Sequence, residues 1–151
     1  MGYPNKLGFY RDGLYRRSVK EISTATTSVQ LYAKDSGMTY FVPTWTTGTI
    51  VLPKISSKWL GVEFTFFVEE QATSNDVSIN ADDYDSSCKI KLPYSSIVDE
   101  STGCSLGSTF ATGLRLTAVS SIAWMGQPLT ANSYSFSSAA SDNVGGWVVG
   151  V

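Results

Sequence analysis

The chain lacks several features on which common protein functions depend. Its 151 residues include no histidine and only two cysteines, and charged residues make up only 16%. Without histidine, the commonest general base and the commonest metal ligand are both missing. We therefore expect neither an enzyme nor a cofactor-dependent protein.

Long apolar runs are also missing. No window approaches the roughly 18 to 20 consecutive apolar residues of a membrane-spanning helix, and the first residues have no apolar core of a secretory signal. We expect a protein without a membrane partner that is synthesised in a reducing cytoplasm. In that setting reduced, buried cysteines are expected at Cys88 and Cys104, with a disulfide between them as the alternative.

Positive charge is scarce except at the N-terminus. The net charge of −2 provides no general attraction for phosphate, so no nucleic-acid partner is expected. Residues 1–21 differ, because they hold five basic residues against two acidic ones. This composition predicts that the first segment and the remainder of the chain face different partners.

What the chain does have is a series of short apolar stretches separated by turn residues. In the stretch 61–70, alternation predicts a strand with Val62, Phe64 and Phe66 facing the core and Thr65 facing solvent. The other predicted strands are 29–34, 38–43, 48–53, 77–80, 88–93, 113–119, 121–129, 133–138 and 146–151.

About ten short strands at close spacing predict an all-β protein. We expect a single-domain β-sandwich or jelly-roll-like barrel over residues 22–151. Residues 1–21 are predicted as an extended basic arm, with a hairpin over 7–20 around the Asp12-Gly13 pair. The closing strand 146–151 is predicted to be an apolar edge open to strand addition.

The basic arm is a candidate docking element. Its candidate partner-binding residues are Lys6, Tyr10, Arg11, Tyr15, Arg16, Arg17 and Lys20. Tyrosine and arginine are the residues that interface hot spots favour, so docking onto an acidic protein surface is predicted. The alternatives are simple solvation of these side chains and, less favoured, binding of nucleic acid.

The four tryptophans divide by their position. Trp124 and Trp147 lie within apolar strands, and are predicted to be core residues. Trp45 and Trp59 fall in connections, so both are predicted to be available for a protein interface or for stacking on a sugar.

Two other clusters resemble a catalytic motif and a metal site, but neither is complete. Residues 103–107, GCSLG, match the G-x-S-x-G pattern of a serine nucleophile, yet no histidine exists to activate the hydroxyl, so a turn rich in glycine and serine is predicted. Asp82, Asp83 and Asp85 are candidate calcium ligands, but their spacing does not complete a calcium loop. A solvated acidic loop is favoured there, and no metal is expected.

Five segments together resemble a known module. They are VQLYAKDSGMTYFVPTWTTGTIVLP, WLGVEFTFFV, VSINADD, GLRLTAVSSIAWM and GGWVVGV, and they extend over roughly residues 29 to 151. In the order of their turns, Leu-Pro stop and aromatic strands they resemble a β-module frequent in structural proteins of tailed bacteriophages. The loop after the Leu-Pro stop departs from that module, because Lys54, Ile55, Lys58 and Trp59 make it larger.

The resemblance implies a virion structural protein without catalytic residues. The expected function is that of a capsid decoration, or cement, protein that binds the outer head surface and stabilises capsomer junctions. Its expected partners are the major capsid protein and further copies of itself, with three-fold association as the natural arrangement, and its expected location is the capsid surface of the virion. The alternative is a tail-fibre or receptor-binding module that recognises host glycans through Trp45 and Trp59.

Overall fold

A computed structural model of the chain describes residues 18–45, 48–73, 76–81, 87–92, 100–106, 111–129, 143–144 and 147–149. Within these ranges the chain consists of strands and two short 3-10 helices, Ala33–Asp35 and Ser57–Trp59. The strands form two mixed sheets, which confirms the all-β prediction. The strand predicted at 133–138, and most of the hairpin predicted at 7–20, lie outside the described residues.

Thirteen strands are described. In chain order they are β1 (Val19–Glu21), β2 (Ser28–Gln30), β3 (Thr39–Val42), β4 (Gly48–Val51), β5 (Glu63–Val68), β6 (Val77–Asn80), β7 (Lys89–Lys91), β8 (Glu100–Ser101), β9 (Gly103–Leu106), β10 (Thr112–Ser120), β11 (Ala123–Pro128), β12 (Asn143–Val144) and β13 (Trp147–Val149). The first sheet has the order β1-β3-β5-β10-β11-β7-β8, and the second has the order β12-β13-β9-β6-β4-β2.

The first six strands are wound in parallel. From β1 to β6 the chain alternates between the two sheets, so that each strand lies parallel to the strand placed two before it. The later strands pair mostly antiparallel, and β10 and β11 form a hairpin. Parallel pairing was not predicted, because alternation shows where a strand lies but not whether its connection turns back or crosses to the other sheet.

One hydrophobic core draws on both sheets. Phe64 and Phe66 of β5 are fully buried, as the alternation predicts. The Tyr40 ring stacks on Phe66 with centroids 5.7 Å apart, and Trp124 lies 6.0 Å from Phe64. Trp124 and Trp147 are both fully buried, which confirms their assignment to the core.

Thr65 was predicted to face solvent, and its predicted exposure is wrong. Thr65 is only 5% exposed. It lies in a central strand, paired with Thr39 on one side and Arg115 on the other. Neighbouring side chains on that face therefore cover it, which the alternation along a single strand does not show.

The strand predicted at 29–34 is too long. β2 ends at Gln30, and the chain then enters the first 3-10 helix, where the Asp35 amide donates to the Tyr32 carbonyl at 2.9 Å. Tyr32 immediately precedes this helix and is 57% exposed.

The turn predicted at 103–107 is wrong, because Gly103–Leu106 form the buried strand β9. β9 lies between β6 and β13, and Ser105 is 3% exposed in the middle of the strand. A nucleophile elbow would need a sharp strand-to-helix turn at this serine. β13 pairs with both β9 and β12, so the edge predicted at 146–151 is wrong for Trp147 and Val148, whereas the described pairing of Val149 is with β9.

The two cysteines are buried thiols and are not joined to each other. Cys88, Ile90 and Leu92 all face the core, as predicted, with Lys89 and Lys91 on the half-buried opposite face. Burial raises the pKa of the Cys104 thiol far above its usual value. Both cysteines therefore act as small apolar core residues.

Candidate binding site

A groove opens between the two 3-10 helices. Tyr32 immediately precedes the first helix and Trp59 ends the second, and the two side chains are 57% and 52% exposed. Both line one open cavity of about 590 Å³. The groove therefore has an aromatic side chain on each wall.

Both walls are tied to the sheet by glycine turns. Gly37 and Gly61 follow the two helices, and each has a φ of 87°, which glycine adopts without strain. The Gly37 amide donates to the Glu63 carbonyl and the Gly61 amide to the Ala118 carbonyl, both at 2.8 Å. The aromatic walls are thus fixed on the central strands β5 and β10.

The groove is basic. Lys34 and Lys54 line it, Lys58 lies next to Trp59 in the second helix, and no acidic residue is among the lining residues. The Lys34 ammonium is 5.6 Å from the centre of the Tyr32 ring. Among the residues that the structure describes, none of the three lysines forms an ion pair.

The carboxylate of Glu63, which follows the lining residue Val62, has other partners. Its Oε1 is 3.7 Å from Arg115 Nε, and its Oε2 accepts a hydrogen bond from the Thr117 hydroxyl at 3.3 Å. Both partners lie on β10, across the outer face of the sheet. The carboxylate of Glu63 is therefore held on that face by contacts with β10.

The floor of the groove narrows inward. Pro53 and Val62 line both the open cavity and a deeper cleft that reaches Trp124. The cleft has no room for a water molecule. Trp124 is fully buried, and its indole N–H has no hydrogen-bond partner among the described residues.

An apolar surface continues from the groove. Leu60, Val119 and Ile122 are 51%, 47% and 51% exposed. The backbone bonds of Gly61 and Val62 to Ala118 place Leu60 beside the hairpin turn that carries the other two. We call the resulting surface the apolar end; it consists of Tyr32, Trp59, Leu60, Val119 and Ile122.

The structure separates the two tryptophans that were predicted to be available. Trp59 is exposed in the groove, as expected, but Trp45 is 1% exposed, so the prediction for Trp45 is wrong. The Trp45 ring packs directly over Gly48, where any Cβ atom would overlap it. Its amide donates to Gln71 Oε1 at 2.8 Å.

Most of the predicted arm residues lie outside the described ranges, namely Lys6, Tyr10, Arg11, Tyr15, Arg16 and Arg17. Lys20 is described and exposed, in strand β1, which pairs with β3 over residues 19–21. The described end of the predicted arm is therefore part of the first sheet.

The candidate calcium ligands Asp82, Asp83 and Asp85 also lie outside the described residues. Within the described ranges, no group of three or more histidine, cysteine or acidic residues is placed to hold a metal ion. No helix in the described part of the chain is long and apolar enough to cross a membrane.

Sequence reasoning missed Tyr32, Lys34 and Lys54 as groove residues. Tyr32 and Lys34 were assigned to a strand, and Lys54 was noted only for the size of its loop. The polar run Asp35-Ser36-Gly37 predicts a turn and was used to end the predicted strand at Lys34, but the 3-10 helix already begins at Ala33, for which the sequence gives no separate signal.

Comparison with models of protein families and with curated proteins finds no match to this chain.

Proposed function

We propose that the protein is a non-catalytic virion structural protein, a capsid decoration protein that binds the outer surface of the head and stabilises capsomer junctions. The observation that carries this proposal is the apolar end. Large apolar side chains gathered on one exposed surface are typical of a protein-protein contact. A half-exposed tryptophan in this surface, Trp59, is the kind of residue that anchors such contacts.

The surroundings of the apolar end favour an acidic partner surface. Lys34, Lys54 and Lys58 flank it, and none of them is neutralised by an ion pair among the described residues. Charges at the rim of an interface steer association and select the partner more than they add affinity. The predicted basic arm would supply further positive charge to the same partner.

Rigidity supports the same proposal. The walls of the groove are hydrogen-bonded to central strands, and a contact surface that is already ordered loses less entropy on binding. We extend the proposal to the architecture: the two mixed sheets are the layers of a β-sandwich, since both contribute to one core. On a capsid lattice, many modest contacts of such a module add up to firm attachment.

The proposed partners are the major capsid protein and neighbouring copies of the chain, with a trimer as the proposed assembly. The direct test mixes the purified protein with expanded, undecorated heads of the parent phage, sediments them and counts the bound copies. We expect saturation at a stoichiometry set by the symmetry of the shell. Failure to bind heads, with the native protein found on the tails of intact virions, would contradict the proposal.

Variants in the same assay locate the contact. Trp59→Ala should reduce head binding, whereas Phe67→Ala should not, because Phe67 is 48% exposed at the opposite end of β5. Removal of residues 1–17 tests the arm without cutting β1 out of the sheet. Full head binding after that deletion would show that the arm is not required.

The second candidate is a tail-fibre module that recognises host glycans. It is favoured by the two aromatic rings that line one groove, since exposed aromatic faces stack on sugars. The relevant pair is Tyr32 and Trp59, because Trp45 is buried. Reproducible signals on a glycan array that disappear in Trp59→Ala and in Tyr32→Ala would place this function first.

A further inference from the structure

We infer that the groove between Tyr32 and Trp59 binds an acidic peptide segment of the protein partner, with carboxylates against Lys34 and Lys54 and an apolar side chain between the two rings. This inference rests on the proposed function and adds the chemistry of the segment that the partner must present. The partner is defined here only by that chemistry.

The charge of the segment follows from the lining of the groove. Two lysines line it, a third is adjacent, and acidic residues are absent from the lining. The nearby Glu63 carboxylate is already paired with Arg115 and Thr117 on the outer face of the sheet. Asp35 is next to Lys34 in the first 3-10 helix but does not line the groove, so the charged residues of the described lining are all basic and favour an anionic ligand over a cationic one.

The apolar component follows from the walls and the floor. Tyr32 and Trp59 present large faces, and Pro53 and Val62 form an apolar base. A volume of about 590 Å³ is within the range of ligand sites, and the cavity is open to solvent. Leu60 then continues the apolar surface beyond the groove, which suits a chain that runs on rather than a compact ligand.

The hydrogen-bonding groups favour a peptide over a sugar. A sugar offers several hydroxyl groups, and these require both donors and acceptors at fixed positions. Gln30 is the one side-chain amide in the lining, and its nitrogen already donates to the carbonyls of Leu31 at 2.9 Å and Val51 at 3.3 Å. Its Oε1 and the Tyr32 hydroxyl are the side-chain acceptors of the lining, so charged donors dominate the groove. The lysines supply donors only, which match carboxylates.

The fluorescence of Trp59 offers a direct measurement. Trp45, Trp124 and Trp147 are buried, so acrylamide quenching of the full-length protein reports mainly on Trp59. The probes are blocked nonapeptides that alternate glutamate and leucine, glutamine and leucine, or lysine and leucine, together with glucuronic acid and glucose. We expect the glutamate peptide to protect Trp59 from quenching, with about tenfold weaker apparent affinity for the glutamine peptide.

Charge reversals locate the site. Lys34→Glu and Lys54→Glu should each weaken binding of the glutamate peptide severalfold. Lys89→Glu is the matched control, because Lys89 is a half-buried lysine in β7 that neither lines the groove nor belongs to the basic arm. Its affinity for the peptide should match that of the unmodified protein.

Three outcomes would overturn the inference. The first is equal protection of Trp59 by the glutamate and glutamine peptides, and the second is protection by glucuronic acid but not by the glutamate peptide. The third is binding of the glutamate peptide by Lys34→Glu and Lys54→Glu as tightly as by the unmodified protein. Head sedimentation separates these failures from failure of the proposed function. Heads that still bind in a Trp59-dependent but lysine-independent manner would leave the decoration function standing and remove the acidic segment. Binding of the glutamate peptide without binding to heads would support the acidic-peptide site and contradict the decoration function.

Discussion

The connections that carry Trp45 and Trp59 both follow a strand and a proline, at Pro43 and at Pro53. The first is short and the second is long, and the two tryptophans differ sharply in exposure. Trp45 is 1% exposed and Trp59 is 52% exposed. One connection closes the core, and the other forms the wall of a groove.

The difference lies in the residues around each ring. Gly48 leaves an empty face onto which the Trp45 ring packs, and Gln71 binds the Trp45 amide. Trp59 ends a 3-10 helix whose first turn is capped by the side chain of Ser56, and Gly61 then returns the chain to the sheet. Exposure of a loop tryptophan thus depends on whether a distant residue provides a surface for it.

The largest expected effect comes from removing the buried ring. Trp45→Ala should lower the free energy of unfolding by about 3 to 5 kcal/mol, because it leaves a large cavity in the core. Chemical denaturation of the purified variant measures this. A loss below about 1 kcal/mol would mean that Trp45 is not packed as described.

The next effect comes from filling the space under that ring. Gly48→Ala should cost about 1 to 3 kcal/mol, because a Cβ atom would overlap the Trp45 ring while the backbone of β4 remains allowed for alanine. The same substitution in a Trp45→Ala background should cost much less. Equal costs in the two backgrounds would show that the two residues do not contact each other.

A smaller loss is expected at Gln71. Its side chain accepts from the Trp45 amide at 2.8 Å and donates to the Glu69 carbonyl at 2.7 Å. Gln71→Leu should therefore cost about 1 to 2 kcal/mol, because it leaves the amide of Trp45 unpaired inside the protein. Hydrogen exchange of that amide should accelerate in the variant, and an unchanged exchange rate would argue against this bond.

The smallest effect on stability is expected in the groove. Trp59→Ala should change the free energy of unfolding by less than about 0.5 kcal/mol, since half of the ring is already in solvent. Thermal unfolding of the purified variant measures this, and an unaltered midpoint would show that the ring does not stabilise the fold. A loss comparable with that of Trp45→Ala would remove the contrast between the two connections.

Strands with one buried face were predictable from the sequence. In β5 and β7 the core residues alternate with others, and Phe64, Phe66, Ile90 and Leu92 are buried as this pattern predicts. β9 was not predictable in the same way. All four of its residues are buried, two of them are Gly103 and Ser105, and the alternation that marks a strand is therefore lost.

The groove was only half predictable. The exposure of Trp59 followed from its place in a long connection, but Tyr32 was assigned to a strand that ends two residues earlier. The juxtaposition of the two rings depends on the parallel winding of β1 to β6, which sets the β2–β3 connection beside the β4–β5 connection. Neither connection contains a sequence pattern that predicts the proximity of the two rings.

The parallel winding also sets the order in which the chain can acquire structure. Between two paired strands of β1, β3 and β5 the chain passes through a strand of the other sheet, and the same holds for β2, β4 and β6. None of these parallel pairs can therefore form as a local hairpin. The β10–β11 hairpin is the longest local pairing described, and β10 is also the second partner of β5. During synthesis, the first half must therefore remain without its central partner until β10 leaves the ribosome. Folding should accordingly be slow and governed by long-range contacts.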